Sequence, residues 1–357
     1  MAFIPAVPHL PESTAYSWPV PREFVHKTAH TEVLLTGWRR CGEREFEVGA
    51  QWPRDHGFWR TDGDGLQDPL LLVETTRQAL PLIAHAAYGV PRGHQLIWDH
   101  HHCAFAAPFL PVSDSPAEVV LHLSASQAPV PGARLRRISL AMTVSCAGRT
   151  LGSASTVYSA HSPQVYGRLR GPGTPAPPEA MAAAIVPPPP LAPVLVGRER
   201  DNEVVLAADA DGNRGRIPDG SGSGGGDGNG GAGRRQLRVL TTSPWLFDHP
   251  VDHVPGMLLM EAARQCAHLA AAPHRPRLTR MEAEFHRYVD LDAPSFAEVS
   301  PGPGEDKDPG DGRPDGERRL TVSVTQHGEE AFTAVVGFVT EAGDGASGAA
   351  ASPRPLG

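Results

Sequence analysis

One short pattern occurs twice in this chain, and it constrains the fold more than any other feature. The stretches 68–78 (DPLLLVETTRQ) and 255–265 (PGMLLMEAARQ) both place Glu-x-x-Arg-Gln after a proline and an apolar run. The two glutamates, Glu74 and Glu261, lie 187 residues apart (261 − 74), and the strand-like segment after each ends in a proline 34 and 33 residues further on. Because the spacing is kept over so long a stretch, the chain is expected to be a tandem repeat of one domain type.

Both copies are predicted to be buried helices that carry charge. Their residues are apolar on most faces, which is typical of a helix in a core, and a proline near the start suits a helix N-terminus. A carboxylate and a guanidinium in such a helix are costly unless they pair or take part in chemistry. The catalytic candidates are therefore Glu74, Arg77, Glu261 and Arg264. A structural alternative stays open, in which each glutamate simply pairs with the arginine three positions on.

Two further sets of polar residues are candidates for substrate binding. Gln78 and Gln265 end the two motifs, although satisfying backbone groups is the commoner role for such residues. His249 and His253 lie in the polar turn before the second helix, and Gly256 stands at the start of that helix. Polar turns of this kind also serve for capping and hydrogen bonding, so the catalytic and structural interpretations of the two histidines both stay open.

Three consecutive histidines, His100, His101 and His102, invite a metal interpretation. Adjacent residues of a strand point to opposite faces, so three in a row do not converge on one ion. The sequence therefore predicts no metal site, and it predicts no bound cofactor.

Composition narrows the class of protein. A length of 357 residues suggests about two domains, and 40% hydrophobic residues suffice for real cores. The formal net charge of −8 argues against a nucleic-acid-binding surface over the whole molecule.

The four cysteines are scattered without a CxxC pair, which disfavours a disulfide framework or zinc site and favours a reducing cytoplasm. No apolar run reaches membrane-spanning length, and the N-terminal stretch lacks the features of a signal peptide. The expected location is the cytoplasm, with no membrane or nucleic-acid partner.

Each repeat is predicted to be an α+β unit, an antiparallel sheet wrapped on a central helix. In the first unit, strand-like runs lie at 23–38, 43–52, 94–106, 117–126, 135–146 and 150–159. They surround a helix from Pro69 to about Ala87, which Pro81 is expected to kink. In the second unit, strand-like runs lie at 203–206, 236–242, 279–294, 320–326 and 331–340, around a helix at 257–272.

Shifts in composition predict the domain boundaries. Residues 1–21 form an irregular leader, 22–170 the first unit, 171–193 a Pro/Ala-rich linker, 194–342 the second unit and 343–357 a disordered tail. Two stretches inside the second unit, 209–233 and 300–316, are rich in Gly, Asp or Pro. They are expected to be flexible insertions, because they bury too little apolar surface to order themselves.

The longer motifs of both units resemble a known family. They are VHKTAHTEVLLTGWRR, FEVGAQWPRDH, DPLLLVETTRQ and YGVPRGHQLIWD in the first unit, and VGRERDNEVVL, LFDHPVDHVPGMLLMEAARQ and FHRYVDLDAP in the second. They span most of residues 22–340 apart from the linker and the insertions, and they resemble the paired hotdog domains of the A-factor biosynthesis (AfsA-type) family of γ-butyrolactone synthases. The resemblance implies a tandem (double) hotdog fold, with the two units paired inside the chain as a pseudo-dimer.

The same resemblance implies a reaction, the transfer of a β-ketoacyl group from an acyl carrier protein to a hydroxyl of dihydroxyacetone phosphate. Attack of an alcohol on a thioester needs a base, for which a glutamate can serve. It also needs a polarised carbonyl, which a helix N-terminus provides, and a cationic clamp for the phosphate. Glu74 or Glu261 is the predicted base, and Arg264 or Arg77 the predicted clamp. One hypothesis combines Glu74 with Arg264, because paired hotdog units are expected to place active sites between them.

A weaker resemblance connects the second helix to hotdog dehydratases of hydroxyacyl carrier proteins, in which a His-Phe-Pro turn precedes Pro-Gly and Glu-Ala. Here Asp248-His249-Pro250 replaces that turn. Fewer residues separate His249 from Glu261 than separate the corresponding histidine and glutamate of those dehydratases. Two alternative functions stay open in the same fold: an acyl-thioester dehydratase, hydratase or thioesterase, and a non-catalytic regulator that binds acyl ligands.

Overall fold

The computed structural model describes residues 12, 16–61, 64–107, 109–127, 136–208, 233–303 and 314–340. The predicted tail at 343–357 lies outside these residues, as do most of the predicted leader and most of both predicted insertions.

Of the strands in the described residues, six belong to the first unit and five to the second. Those of the first are β1 (Leu35–Arg40), β2 (Glu45–Trp52), β3 (Gln95–Phe105), β4 (Ala117–Gln127), β5 (Arg136–Cys146) and β6 (Arg149–His161). Those of the second are β7 (Arg235–Gln236), β8 (Pro276–Phe285), β9 (Ser295–Pro301), β10 (Arg318–Gln326) and β11 (Glu329–Thr340).

All eleven described strands form one sheet, and the two units meet at its centre. The order is β1-β2-β4-β5-β6-β3-β8-β11-β10-β9-β7. The central pair β3 and β8 is antiparallel, with His101 opposite Ala283. The backbone hydrogen bonds of each unit therefore continue into the other, so neither unit has an open edge at the junction.

One long helix packs against the sheet in each unit. These are α1 (Leu70–Leu82) and α4 (Gly256–Ala271), and two short helices, α2 (Pro163–Arg170) and α3 (Pro177–Ala182), lie between the units. A π-helical turn at Ile83–Ala87 continues α1 just after Pro81, so the proline widens the helix rather than ending it. The predicted α+β tandem arrangement is confirmed, and α3 falls within the predicted linker.

The strand predicted at 23–38 is wrong over most of its length. Two 3₁₀ turns, Arg22–Phe24 and His30–Glu32, precede β1, and His26 lies between them with a left-handed φ of +53°. A strand would send Lys27 and Glu32 to opposite faces, whereas the turns bury both side chains.

The second unit shows the same departure from the predicted strands. Where a strand was expected at 203–206, a 3₁₀ turn (Asp201–Glu203) covers Glu203, and Leu206 forms only an isolated bridge to Leu237. The strand expected at 236–242 ends at Gln236.

Candidate functional site

The first of two polar clusters surrounds Glu74 in α1. Glu74 is 1% exposed, and its carboxylate accepts hydrogen bonds from Nε and Nη2 of Arg77, both at 2.7 Å. Lys27 Nζ lies 3.1 Å from Oε1, and Gln78 Nε2 donates to the same oxygen at 2.8 Å. Burial by itself would raise the pKa of Glu74, but the charges of Arg77 and Lys27 outweigh it and hold the pKa at about 2. The carboxylate is therefore ionised at neutral pH and is a poor proton acceptor.

The second cluster repeats this arrangement around Glu261 in α4. Glu261 is fully buried and pairs with Arg264 Nε at 3.0 Å and with Arg198 Nη2 at 2.6 Å. Gln265 Nε2 donates to Oε1 at 2.6 Å. Burial would raise the pKa of Glu261 as well, and the two guanidinium groups hold it at about 2.

The two glutamines of the repeated motif hold each helix to the segment before it. Gln78 accepts a hydrogen bond from the N–H of Leu34 at 3.0 Å and donates to the carbonyl of Glu32 at 2.7 Å. Gln265 makes the equivalent pair of contacts at 3.0 and 2.8 Å in the second unit. Both glutamines are fully buried, so their amides serve the backbone and the neighbouring glutamate.

Lys27 and Arg198 complete the clusters, and sequence reasoning missed both. The signal was present as a second internal repeat, VHKTAHTEVLL (25–35) and VGRERDNEVVL (196–206), which matches Lys27 with Arg198 at a separation of 171 residues (198 − 27). These stretches resemble strands in their alternation, so no role was predicted for their charged residues.

In the second cluster, all three guanidinium nitrogens of each arginine donate to the protein. Besides Glu261, Arg198 donates to the carbonyl of Phe58 at 2.9 Å and to Asp68 Oδ2 at 3.1 Å. Arg264 donates to a backbone carbonyl and lies 2.8 Å from Nε2 of His268. Two carboxylates therefore neutralise two cations, and the cluster is internally satisfied.

The first cluster contains hydrogen-bond donors that have no acceptor among the described residues. Arg77 uses Nε and Nη2 for Glu74, and no described residue accepts a hydrogen bond from its Nη1. Lys27 has Glu74 as its one ion-pair partner in the described part of the chain. Glu74 is thus the one carboxylate paired directly with both cations among the described residues, while Asp248 attracts Arg77 without an ion-pair contact. The Arg77 side chain is 21% exposed.

The first cluster lines a cavity between the two units, called cavity A here, of about 830 Å³. Lys27, Glu74 and Arg77 face it from the first unit, and much of the segment 245–257 faces it from the second. Two of the four predicted catalytic residues, Glu74 and Arg77, are therefore brought together with the histidine turn.

The second cluster lines a different cavity between the units, called cavity B, of about 490 Å³. Arg198 and Arg264 face it from the second unit, and much of the segment 60–69 faces it from the first. The hypothesis that combined Glu74 with Arg264 is wrong, because the two side chains line different cavities and each is paired inside its own unit.

Asp248 ties the loop before α4 to the first unit. Its carboxylate accepts hydrogen bonds from the N–H of Thr28 at 2.5 Å and from the N–H of Ala29 at 2.9 Å, next to Lys27 in sequence. Burial would raise the pKa of Asp248, but these contacts and His249 hold it well below its ordinary value. His249 lies 3.4 Å from the carboxylate, and its side chain is 41% exposed. The loop is thus fixed against the segment that carries the lysine.

Asp252 and His253 form a hydrogen-bonded pair further along the same loop, and His253 lines cavity A. His253 Nδ1 lies 2.6 Å from Asp252 Oδ1, and the Tyr166 hydroxyl donates to that oxygen at 2.7 Å. Arg170 Nε donates to Oδ2 at 3.1 Å. Burial would raise the pKa of Asp252, but these three partners hold it well below its ordinary value, so the carboxylate is ionised. Tyr166 and Arg170 were not predicted, because nothing in the sequence of α2 links it to a turn so distant in the chain.

The N-termini of the two long helices differ. At α1, Asp68 Oδ1 accepts a hydrogen bond from the backbone of the first turn at 2.9 Å. At α4 no side chain caps the helix, and the N–H groups of Gly256 and Met257 find no acceptor in the described part of the chain. Both residues line cavity A. Beside Gly256 the rings of Trp98 and Phe285 stack at 4.9 Å, which gives the cavity an apolar wall next to free N–H donors.

The histidine run on β3 alternates between faces as predicted. His101 is fully buried, whereas His100 and His102 are partly exposed. Burial lowers the pKa of His101 to about 3, so it is neutral, and its Nε2 lies 3.0 Å from Cys103 Sγ. No group of three or more possible metal ligands comes together within the described ranges, and none of the helices described there is long and apolar enough to cross a membrane.

Known proteins are similar in sequence to this chain over nearly its whole length. The sequence profile of the A-factor biosynthesis hotdog domain matches residues 11–162 and 183–340, once for each unit. A 2-oxo-3-(phosphooxy)propyl 3-oxoalkanoate synthase of Streptomyces virginiae is 39% identical over 321 residues, which cover 89% of this chain and 97% of that protein. One from Streptomyces griseus is 34% identical over 324 residues, covering 89% and 95%.

Among solved structures, the 12:0-ACP thioesterase from Umbellularia californica matches 85% of this chain and 100% of its own with a TM-score of 0.46 at 10% identity. The two segments matched by the family profile correspond to the two units that meet at β3 and β8. The chain therefore belongs to the A-factor biosynthesis hotdog family.

Proposed function

We propose that this protein is an acyltransferase of γ-butyrolactone signal biosynthesis, which moves a β-ketoacyl group from an acyl carrier protein thioester to the hydroxyl of dihydroxyacetone phosphate. The relatives support it, because a 2-oxo-3-(phosphooxy)propyl 3-oxoalkanoate is the ester of those two parts. The observation that carries the proposal is the first cluster, in which two cations share one carboxylate on the wall of cavity A.

The phosphate of the acceptor binds Arg77 and Lys27. Arg77 keeps Nη1 available, and the Lys27 ammonium has three donors, of which the structure commits one to Glu74. A phosphate dianion accepts several charge-assisted hydrogen bonds, which are roughly twice as strong as neutral ones. The anion gains these bonds without displacing the carboxylate already present.

The thioester carbonyl lies against the N-terminus of α4. The unpaired N–H groups of Gly256 and Met257 point out of the helix end, where the helix dipole also favours negative charge. Donors fixed in this way stabilise the oxyanion of a tetrahedral intermediate. The stacked rings of Trp98 and Phe285 offer apolar contact to the acyl chain.

Glu74 holds the two cations rather than acting as the base. Its pKa of about 2 makes it a weak proton acceptor near neutral pH. Its carboxylate aligns Arg77 through two hydrogen bonds of 2.7 Å and keeps Lys27 beside it. Removing Glu74 is therefore expected to disturb phosphate binding before it disturbs proton transfer.

Incubation of the full chain with a β-ketoacyl carrier protein and dihydroxyacetone phosphate tests the proposal, with products identified by mass spectrometry. A phosphorylated ester is expected. Free β-keto acid would mark a thioesterase, an enoyl product a dehydratase, and binding without turnover a regulator, and each of these would contradict the proposal.

Arg77→Gln adds a test of the phosphate site. It is expected to raise KM for dihydroxyacetone phosphate about 10- to 100-fold, the range for one hydrogen bond to a charged group. Arg60→Gln is the matched control, because Arg60 lines cavity B and pairs with Glu199 at 3.3 Å. An unchanged KM in Arg77→Gln would remove Arg77 from the phosphate site.

A further inference from the structure

We propose that His253, oriented by Asp252, is the general base and then the general acid of acyl transfer in cavity A, an assignment that rests on the proposed function. The pair lies in the loop of the second unit, and His253 lines the same cavity as the cation cluster of the first unit. The reaction therefore needs both units.

Hydrogen bonding fixes which nitrogen of His253 is available. The 2.6 Å contact to Asp252 Oδ1 places the proton of a neutral ring on Nδ1, because an ionised carboxylate only accepts. Nε2 is then the acceptor, and no described residue donates to it. The His253 side chain is 26% exposed, which leaves Nε2 accessible to a substrate hydroxyl.

Asp252 is itself held from two sides by α2. The Tyr166 hydroxyl and Arg170 Nε occupy one oxygen each, and Arg170 Nη2 also reaches Asp290 Oδ1 at 2.7 Å. The Arg170 guanidinium lies 4.5 Å from the centroid of the Tyr288 ring. The Tyr288 ring in turn meets His253 edge-on at 4.7 Å, so the imidazole is fixed in both position and tautomer.

Cavity B lacks the pair. At the separation of 187 residues that relates Glu74 to Glu261, Asp252 corresponds to Gly65 and His253 to Leu66. Leu66 lines cavity B at the equivalent place, so the Asp-His pair has no counterpart there. The histidine of cavity B that contacts the cation cluster, His268, has its Nε2 taken up by Arg264 Nη1 at 2.8 Å. The Asp-His pair therefore favours cavity A as the catalytic centre.

The proton transfers balance. Nε2 of His253 takes the proton of the attacking hydroxyl as its oxygen bonds to the thioester carbon, which leaves an imidazolium beside ionised Asp252 and an oxyanion at the end of α4. When the intermediate collapses, the carbon–sulfur bond breaks and the imidazolium gives its proton to the departing sulfur. An ester and a free thiol result, and the enzyme returns to its starting state.

Rates of ester formation by the full-length wild type and His253→Gln test the assignment. The variant is expected to lose about 10²–10⁴-fold in kcat, the usual contribution of a general base, with KM for dihydroxyacetone phosphate nearly unchanged. Asp252→Asn is expected to lower kcat less. His122→Gln, on the exposed face of β4, is the control and should match the wild type.

Two readouts separate catalysis from structure. Imidazole added to His253→Ala should restore part of the rate, and the decline of kcat/KM on the acid side should disappear in His253→Gln. Among the described residues, the charged and titratable groups that contact this ring are Asp252 in its own loop, Tyr166 in α2 and Tyr288 after β8, and Arg170 and Asp290 lie behind them.

The outcomes separate this assignment from the proposed function. No phosphorylated ester from the wild type would overturn both. Ester from the wild type and an equal kcat in a folded His253→Gln would overturn the base alone. A loss of rate in His249→Gln that His253→Gln does not share would move the base to His249. If His253→Gln does not fold, imidazole rescue of His253→Ala decides, and no rescue counts against the assignment.

Discussion

Replacing Glu74 with glutamine tests whether one ionised carboxylate holds the first cluster together. The side chain keeps its size but loses its charge, so Lys27 and Arg77 lie side by side without a counter-ion. The pKa of Glu74 falls from 4.5 to about 2 in the fold, which corresponds to about 3 kcal/mol of stability at neutral pH at roughly 1.4 kcal/mol per pKa unit. Removing one partner of a buried pair costs about 3–5 kcal/mol, so both estimates predict a large loss.

The sign of the pKa change also predicts how this loss depends on pH. Because the pKa of Glu74 is lower in the folded state, its contribution is complete above a pH of 4.5 and disappears as the pH falls towards about 2. Urea unfolding of the wild type and Glu74→Gln should therefore differ by about 3 kcal/mol near neutral pH. The difference should narrow steadily in acid, where the wild-type carboxyl also becomes neutral.

Glu298→Gln is the matched control for this experiment. Glu298 pairs with Arg234 at 2.9 Å, but its side chain is 48% exposed, and exposed pairs contribute only about 0–1 kcal/mol. A loss below about 1 kcal/mol in Glu74→Gln, or one that stays constant into acid, would refute the reasoning. Adding Lys27→Met should recover part of the loss, because it removes one of the two unpaired cations.

Two more substitutions probe cavity B and the apolar wall of cavity A that Trp98 and Phe285 form. Arg198→Met leaves Glu261 and Asp68 without their shared cation, so the free energy of unfolding should fall by about 3–5 kcal/mol in urea titrations. Initial rates of the folded fraction should keep the wild-type KM for both substrates, since Arg198 lies in the other cavity. Gly256→Ala places a Cβ 3.1 Å from the rings of Trp98 and Phe285, and such overpacking costs about 1–3 kcal/mol. KM for the acyl donor should rise about 10-fold while KM for dihydroxyacetone phosphate stays constant. Initial rates with donors of different acyl chain length measure the change.

The features that could be predicted from sequence are those that repeat or extend over many residues. The two long helices and the tandem arrangement follow from the motif at 68–78 and 255–265. Lys27 was missed because its segment alternates like a strand, and a left-handed residue at His26 turns the backbone instead. Local pattern does not reveal such a turn, since it is stabilised by a glutamine that lies 44 residues away from Leu34 in the chain.

Which site residues lie together could not be predicted from the local sequence pattern, for a different reason. Which predicted residues share a cavity depends on how the units dock, and the repeated motif gives Glu74 and Glu261 the same neighbours in sequence. The structure separates them through positions at which the two copies of the motif differ, such as Asp68, which caps α1 and also binds Arg198. The carboxylate of Asp68 occupies Arg198 in cavity B, whereas its counterpart at α4, Pro255, offers no carboxylate.

Charge balance accounts for the proposed division of roles, in which the first cluster receives the phosphate and the second stabilises the fold. In cavity B an incoming anion would have to displace Asp68 or Glu261 from Arg198, and breaking a buried pair of this kind costs about 3–5 kcal/mol. In cavity A the same frame leaves Arg77 Nη1 unpaired, so an anion adds bonds without removing any. The buried glutamate is thus common to both clusters. In the proposed function the first cluster receives the phosphate because, among the described residues, Glu74 is the one carboxylate paired directly with its two cations.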